Sequence, residues 1–199
     1  MGQAALNLPL SAADFLAWDA TQTTRHEFVR GEVSAMAGAG ERHVTVAGNI
    51  YLALRQHLAG TPCRTFITDM KLRVEAADAF FYPDVMVTCS PRDAEQSHVK
   101  SEPVLLVEVL SPATAAFDRG DKFAAYRSLA SLREVLLVDP DLRRCDLFRR
   151  QVVDGGEAWV LHPGESAGGV ELVSVGLALS AEALWAEVPA LASPRTPGA

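Results

Sequence analysis

The chain has 199 residues, of which 49% are apolar and 22% are charged, and its formal net charge at pH 7 is -7. This length and composition predict one globular domain with its own core and exclude disorder over most of the chain. The negative charge weakens the case for a nucleic-acid enzyme without excluding it, because a metal ion offsets carboxylates locally and a small basic patch can still bind phosphates.

Two absences favour a cytoplasmic protein with no membrane partner. No apolar run approaches the roughly 20 residues that a membrane-spanning helix needs, and the first ten residues lack the basic start and apolar centre of a secretory signal. Cys63, Cys89 and Cys145 are odd in number and widely separated, which indicates neither a disulfide framework nor a metal site. We expect reduced, mostly buried thiols.

The N-terminal part predicts a short helix, a hairpin and a longer helix. Residues 11–18 (SAADFLAW) begin with a Ser-x-x-Asp pattern that is typical of a capped helix. From residue 26, two short apolar–polar runs flank Arg30-Gly31, which indicates a tight hairpin. Residues 41–59 carry apolar side chains three and four positions apart, as expected for a helix with one buried stripe. The predicted stripe is Val44, Ala47, Tyr51, Leu54 and Leu58.

Extended segments dominate the rest of the chain. Three of them, near 63–68, 70–75 and 84–89, suit an antiparallel meander. Apolar runs in the C-terminal third predict further strands near 134–139, 143–149, 158–162 and 170–175. Ser180 then caps a last short helix through Val188. We therefore predict one domain over residues 10–188, with an α/β fold of a mixed sheet flanked by helices, and a disordered tail over 189–199.

The run 104–110 (VLLVEVL) contains the most informative residue. It is apolar on both alternating faces except for Glu108, so we expect a central strand that is covered on both sides. A helix follows, with Ser111-Pro112 and Asp118 as competing start signals, and runs to about residue 129.

A buried carboxylate needs compensation. An ionised group in the middle of a buried strand costs several kcal/mol unless a cation, a hydrogen-bond donor or a metal meets it. Pro83-Asp84 opens another strand, and if the two strands are neighbours, Asp84 and Glu108 converge on one point. Such a pair suits Mg²⁺ or Mn²⁺. The alternatives are a buried ion pair for Glu108 and a turn carboxylate beside Pro83 for Asp84.

The helix after Glu108 supplies a candidate cation. Asp118, Lys122 and Tyr126 lie at i, i+4 and i+8 and share one face, which can lean over the two carboxylates. An ammonium beside an attacking water stabilises the charge that develops on a phosphate. The alternative is an ordinary solvated pair of Asp118 with Lys122.

Three segments of the chain resemble the Uma2 family. They are YPDV (82–85), LLVEVLSPATAAFDRGDKFAAYRSL (105–129) and LREVLLVDP (132–140), and the resemblance covers roughly residues 10–188 in order. The family is assigned to the PD-(D/E)xK nuclease superfamily. The resemblance therefore implies a restriction-endonuclease-like core, which agrees with the order of elements predicted above.

The resemblance also implies roles for single residues. Asp84 corresponds to the motif aspartate and Glu108 to the second acid, with the Val109 carbonyl as an extra metal contact. The superfamily pattern has a lysine two residues after the acid, whereas this chain has Leu110. In Uma2-like chains the lysine moves to the following helix, which points to Lys122.

Supporting roles follow for three more positions. Glu27 in HEFVRGEV resembles an upstream acid that helps hold a second metal or orient a ligand. Glu32 is the competing choice, and a hairpin surface charge is the ordinary alternative for both. His43 and Tyr126 also fall at family-like positions, although a surface histidine at a helix N-terminus is the simpler interpretation of His43.

The densest basic patch is Arg143, Arg144, Arg149 and Arg150. These side chains could contact a nucleic-acid backbone. Protection of an edge strand by charge explains them equally well.

The favoured hypothesis is an endonuclease that hydrolyses DNA with Mg²⁺ or Mn²⁺ bound at Asp84 and Glu108. The second is a non-catalytic binding or assembly module in which Glu108 and Lys122 form a structural ion pair. A serine hydrolase using Ser111 has little support because no GxSxG motif surrounds it. Folds of this type commonly pair to cut both strands, so we expect a homodimer.

Overall fold

A computed structural model describes residues 10–36, 38–164 and 168–189, which form two mixed β-sheets and a two-stranded ribbon flanked by helices. In chain order the strands are β1 (His26–Val29), β2 (Glu32–Ala35), β3 (Arg64–Ile67), β4 (Lys71–Val74), β5 (Ala79–Phe81), β6 (Val85–Thr88), β7 (Val99–Lys100), β8 (Pro103–Val109), β9 (Glu134–Asp139), β10 (Arg144–Val153), β11 (Gly156–Gly164), β12 (Val170–Leu172) and β13 (Leu177–Leu179).

The helices are α1 (Ala12–Asp19), α2 (Glu41–His57), α3 (Pro91–Glu95), α4 (Ala115–Phe117), α5 (Phe123–Tyr126) and α6 (Ala181–Leu184). A π-turn over Asp118–Lys122 joins α4 to α5, so residues 115–126 form one continuous helical segment, which we call the site helix. It begins at Ala115, between the two start signals that the sequence offers. Short 3-10 turns cover Glu75–Ala77 and Val173–Val175.

The six-stranded sheet positions the candidate site. Its order is β11-β10-β9-β8-β6-β3, with β8 and β9 parallel and the other neighbours antiparallel. Val107 on β8 belongs to the core under α2, whereas its neighbour Leu106 belongs to the core under the site helix. The prediction of a central strand covered on both faces is therefore confirmed, as is the mixed α/β fold with flanking helices.

The five-stranded sheet, in the order β2-β1-β5-β4-β7, packs against α1. Phe15 of α1 stacks on Phe28 and Phe80, with ring centroids 5.0 and 5.4 Å apart. The Ser11–Asp14 capping box starts the helix as predicted. The β1–β2 hairpin is also confirmed, and Arg30 and Gly31 in its turn both have positive φ, which suits the twist of a tight hairpin.

The predicted antiparallel meander over 63–89 is wrong. β3 pairs with β6 in the six-stranded sheet, whereas β4 pairs with β5 in the other sheet. The chain turns at Thr68, whose φ is 46°, so consecutive strands enter different sheets. Short alternating runs predict that strands exist, but they do not specify which strands pair.

The buried stripe of α2 is rotated from the predicted one. The helix itself is confirmed, but Val44 is 57% exposed, and the buried residues are Val46, Ala47, Ile50 and Leu54. Apolar side chains occupy more of this helix than the sheet covers, so their spacing alone did not identify the buried face.

The prediction of reduced thiols is wrong for Cys63 and Cys89, which form a disulfide. The β3–β6 register pairs Arg64 with Thr88, and one step further outward the two cysteines face each other. Their separation of 26 residues concealed this contact. Cys145 is a buried free cysteine, as predicted.

The prediction for the C-terminal region is confirmed in part. Ser180 caps α6 as predicted, but the helix ends at Leu184 rather than Val188. Residues 190–199 of the predicted tail lie outside the described residues, and the extent of the domain stays a prediction. Among the helices in the described ranges, none has the length and apolarity that a membrane crossing requires.

Candidate functional site

Asp84 and Glu108 come from neighbouring strands. β6 and β8 pair antiparallel with Val85 opposite Val107, so one step outward the register sets Asp84 opposite Glu108. Directly opposed residues of an antiparallel pair lie close together on the same side of the sheet. The condition for a shared site, that the two strands be neighbours, is met.

Asp84 is held by one helix and one strand. Its Oδ1 lies 2.8 Å from His43 Nε2 in the first turn of α2, and its Oδ2 accepts a hydrogen bond of 2.7 Å from the Val109 backbone N–H. His43 is thus turned toward the candidate site, with only 18% of its side chain exposed. Val109 contacts the site through its N–H, whereas the resemblance implies a contact through its carbonyl.

Glu108 is buried beneath the site helix, with 3% of the residue exposed. Its Oε1 accepts a hydrogen bond of 2.5 Å from the Tyr126 hydroxyl and lies 3.1 Å from Lys122 Nζ. Burial raises the pKa of Glu108 well above its ordinary value, and the nearby Asp84 carboxylate raises it further, against the opposing effects of Lys122 and Tyr126.

Lys122 lies among three carboxylates. Its Nζ is 3.1 Å from Glu27, 3.1 Å from Glu108 and 3.6 Å from Asp118. Burial alone would lower the pKa of Lys122, but the carboxylates outweigh burial and raise that pKa well above its ordinary value. The side chain is therefore an ammonium at neutral pH.

The site as a whole carries more acids than bases. Glu27, Glu108 and Asp118 surround the Lys122 ammonium and Asp84 lies opposite Glu108, so four carboxyl groups accompany one ammonium in a largely buried place. A divalent cation relieves such an excess. Within residues 10–36, 38–164 and 168–189, no group of three or more His, Cys, Asp or Glu is arranged to hold a metal. The pair of carboxyl groups that Asp84 and Glu108 offer is the kind of donor set that Mg²⁺ or Mn²⁺ binds, because these ions commonly take one or two carboxylates and keep several waters.

The structure brings the predicted site residues together and resolves two alternatives. Glu27 contacts Lys122, whereas its competitor Glu32 is exposed on the hairpin. The solvated pair of Asp118 with Lys122 is wrong, because both residues are buried. Asp118 is a fourth carboxylate of the site: its spacing predicted the helix face that leans over the acids, but the sequence assigned it no role there.

The four predicted surface arginines make internal contacts. Arg144 pairs with Asp146, Arg149 with Glu134, Arg150 with carbonyls that follow the site helix, and Arg143 with the Val188 carbonyl. Three of the four lie on β10, which has β9 and β11 on its two sides, so the edge-strand interpretation is wrong. These internal contacts explain the presence of the four arginines without a nucleic-acid partner.

A second polar cluster, which sequence reasoning missed, abuts the site. Asp19 Oδ2 accepts hydrogen bonds from Lys71 Nζ (2.7 Å) and the Tyr82 hydroxyl (3.0 Å), and Oδ1 lies 3.2 Å from His26 Nδ1. The Tyr82 backbone N–H reaches Glu27 Oε1 at 3.4 Å. Burial and Asp19 raise the pKa of Tyr82. These residues come from separate elements, so no local pattern indicated their meeting.

A mixed sheet flanked by helices, with two opposed acids at the end of a central strand pair, places this protein in the restriction-endonuclease-like class. The sequence profile of the Uma2 family, described as "Putative restriction endonuclease", matches residues 12–182. The chain therefore belongs to the Uma2 family.

Two relatives and one solved structure are similar to this chain. Two proteins of Synechocystis sp., "Uncharacterized protein slr1290" and "Uncharacterized protein sll1609", are each 32% identical to the chain, over 176 and 154 residues. The alignments cover 88% of this chain and 91% of the first relative, and 76% of this chain and 85% of the second. The crystal structure of "a putative nuclease belonging to DUF820" from Anabaena variabilis superposes with a TM-score of 0.73 at 16% identity. The superposition covers 91% of this chain and 100% of the Anabaena chain. At 16% identity, this similarity shows the fold alone.

Proposed function

We propose that this protein is an endonuclease that uses Mg²⁺ or Mn²⁺ to hydrolyse the phosphodiester bonds of DNA. One observation carries the proposal: Glu108, buried in a central strand, stands opposite Asp84 and beside an ammonium that three carboxylates surround. The family description supports the nuclease class. The cation and the DNA substrate are inferred from the chemistry of the donor set.

Asp84 and Glu108 would hold the cation, with the Val109 carbonyl as a further oxygen donor. When bound, a divalent cation supplies Lewis-acid stabilisation of phosphate oxygens and lowers the pKa of a coordinated water. His43 and the Val109 N–H fix the Asp84 carboxylate between α2 and β8. Tyr126 orients Glu108 and, through its hydrogen bond, favours the ionised carboxylate.

Lys122 supplies the positive charge that the chain itself contributes. Its ammonium lies beside Glu108, at the point where a bound phosphate would gain negative charge during hydrolysis. Glu27 and Asp118 hold this ammonium in place and keep it protonated. Because its position depends on ion pairs from two elements, loss of either acid should weaken the reaction less than loss of Lys122.

Plasmid nicking tests the proposal. Supercoiled plasmid with Mg²⁺ or Mn²⁺ should be nicked by the native protein, and Glu108→Ala should lower the rate roughly 100-fold or more, as is usual when a preorganised charged group is removed. Glu95→Ala, an exposed acid on α3, is the matched control and should cleave like the native protein. Equal nicking by native protein and Glu108→Ala would refute the proposal.

A second candidate function is favoured by one contact. The 3.1 Å distance between Lys122 Nζ and Glu108 Oε1 is also what a structural ion pair in a non-catalytic binding or assembly module would show. Calorimetric titration with Mn²⁺ separates the two functions. A binding site in the native protein that is lost in Asp84→Ala supports the nuclease, and the absence of a site in the native protein supports the module.

The proposal includes a homodimer, because two-fold symmetric pairs of one chain are the commonest oligomers of soluble proteins. Sedimentation equilibrium of the native protein measures this directly.

A further inference from the structure

A cavity of about 480 Å³ lies behind the candidate site, between the β1–β2 hairpin and the site helix. The site helix borders both. Asp118, Lys122 and Tyr126 face the candidate site, whereas Phe117, Asp121 and Ala125, which repeat at the same spacing, line the cavity. The two groups form adjacent stripes of one helix.

The hairpin and β5 connect the cavity to the site as well. Ser34 lines the cavity and pairs across the hairpin with Glu27, whose carboxylate contacts Lys122. Phe81 is a shared wall: it lines the cavity, and its ring centroid lies 5.7 Å from Lys122 Nζ and 5.5 Å from the Tyr126 ring. Three separate elements therefore border both the cavity and the site.

The lining has the chemistry of a site for a planar ring with polar edges. Phe81 and Phe117 line the cavity with aromatic carbon, and of the two rings Phe117 is the accessible one, with 37% of the residue exposed against 1% of Phe81. Alanines on the site helix and on the 3-10 turn leave the space between them open. Arg30 offers hydrogen-bond donors, while Glu32 and Asp121 offer acceptors. The volume falls in the usual range for small-ligand sites.

We propose that this cavity receives a nucleobase of the substrate, unstacked from its strand and placed next to the phosphate at the candidate site. The inference rests on the proposed nuclease function. Aromatic stacking holds unpaired bases in a sequence-tolerant way, and extracting a base is easiest where pairing is already broken. The expected substrate class is therefore single-stranded, mismatched or locally melted DNA rather than regular duplex.

Substitutions of Phe117 and Ala124 test the cavity separately from the catalytic acids. Phe117→Ala removes the exposed ring, and Ala124→Leu fills the space from an exposed position of the site helix. We expect either change to raise the KM for cleavage of a short single strand about 5- to 100-fold and to change kcat little, as is typical for the loss of one stacked base. Leu142→Ala, which removes an exposed apolar side chain outside the cavity, is the control.

Conservative variants identify the interaction. Phe117→Tyr keeps an aromatic ring and should behave like the native protein, whereas Phe117→Leu keeps apolar volume only and should behave like Phe117→Ala. Binding is measured without turnover by the emission of 2-aminopurine in a phosphorothioate-linked strand, which stacking on Phe117 should quench. Native-like binding by Phe117→Leu would show an apolar contact and overturn the inference.

The two measurements distinguish failure of the inference from failure of the proposed function. If the native protein cleaves DNA and both cavity variants match Leu142→Ala in KM and in quenching, the cavity does not bind a base. If the native protein cleaves nothing but quenches 2-aminopurine in a way that Phe117→Ala abolishes, the nuclease proposal fails and the base site stands.

Discussion

Asp146 and Glu108 are almost equally buried, at 2% and 3% exposure, yet their carboxyl groups respond to the protein in opposite ways. Burial raises the pKa of both. At Asp146, hydrogen bonds from Arg144 and Arg119 outweigh burial and lower the pKa, whereas at Glu108 one ammonium is opposed by further carboxylates and the pKa stays high. Burial is thus the largest cause of the raised pKa of Glu108, with neighbouring carboxylates adding to it, whereas two arginines reverse the effect of burial at Asp146.

Asp146→Asn should destabilise the protein at neutral pH by about 2 kcal/mol, because it removes charged hydrogen bonds from two arginines. Asp146 has a folded-state pKa below its ordinary value of 3.8. The stability that the Asp146 carboxylate gives to the folded protein is therefore present above pH 3.8 and is lost as the pH falls through the folded-state pKa. Urea unfolding from pH 7 to pH 3 should show the native and variant free energies converging in acid. A difference that does not change with pH would contradict this assignment.

At the scale of elements, the candidate site depends on the strand pair β6–β8 and on the site helix. The strand pair sets the two acids side by side, and the helix directs Asp118, Lys122 and Tyr126 back onto them across its π-turn. A π-turn inserts an extra residue into the helical repeat and is often found at functional sites. Gly120 lies at the centre of this π-turn, and its backbone is not in the left-handed conformation that favours glycine.

Gly120→Ala should therefore stabilise the protein by about 0.5–1 kcal/mol, since alanine is the better helix former and its Cβ would meet nothing within 4 Å. Gly169→Ala is the matched contrast. Gly169 has a φ of 74°, and its Cβ would lie 2.4 Å from the Leu179 carbonyl oxygen, so this variant should be destabilised. Thermal unfolding of both variants checks the pair, and a loss of stability in Gly120→Ala would show that the π-turn requires glycine.

At the scale of the whole molecule, the disulfide ties the edge strand β3 to β6, which leads out of Asp84. β3 makes few backbone hydrogen bonds to the sheet, because it has one strand neighbour and only four residues. The Thr68 N–H also donates to the Asp84 carbonyl at the other end of the pair. The covalent link therefore secures β3 to β6, the strand that follows Asp84.

Reduction of the Cys63–Cys89 disulfide should lower the free energy of unfolding by about 3.5 kcal/mol, the loop-closure value for a separation of 26 residues. Thermal unfolding with and without a reductant measures the change. The double variant Cys63→Ala/Cys89→Ala should unfold like the reduced protein, and the reductant should not change its unfolding. Three reactive thiols in the unfolded, unreduced native protein would disprove the link. Because disulfides are rare in reducing compartments, the same titration bears on the expected cytoplasmic location.

Local patterns in the sequence were enough to predict much of the site. A single acid in the apolar run of β8, the Pro-Asp start of β6 and the i,i+4,i+8 spacing on the site helix each depend on a few consecutive residues. Glu108, Asp84, Lys122 and Tyr126 were identified in this way, with the Uma2 resemblance adding Glu27 and His43. Whether these residues act in catalysis stays a prediction, while their meeting in space is seen in the structure.

The sequence alone determined the class of fold, the buried strand and its acid, because burial and periodicity are encoded locally. Only the tertiary structure decided which strands pair, which face of α2 is covered, that Cys63 meets Cys89 and that Asp118 joins the acids. Strand register and helix rotation depend on contacts between residues far apart in the chain, and these contacts leave no mark on the pattern of neighbouring residues.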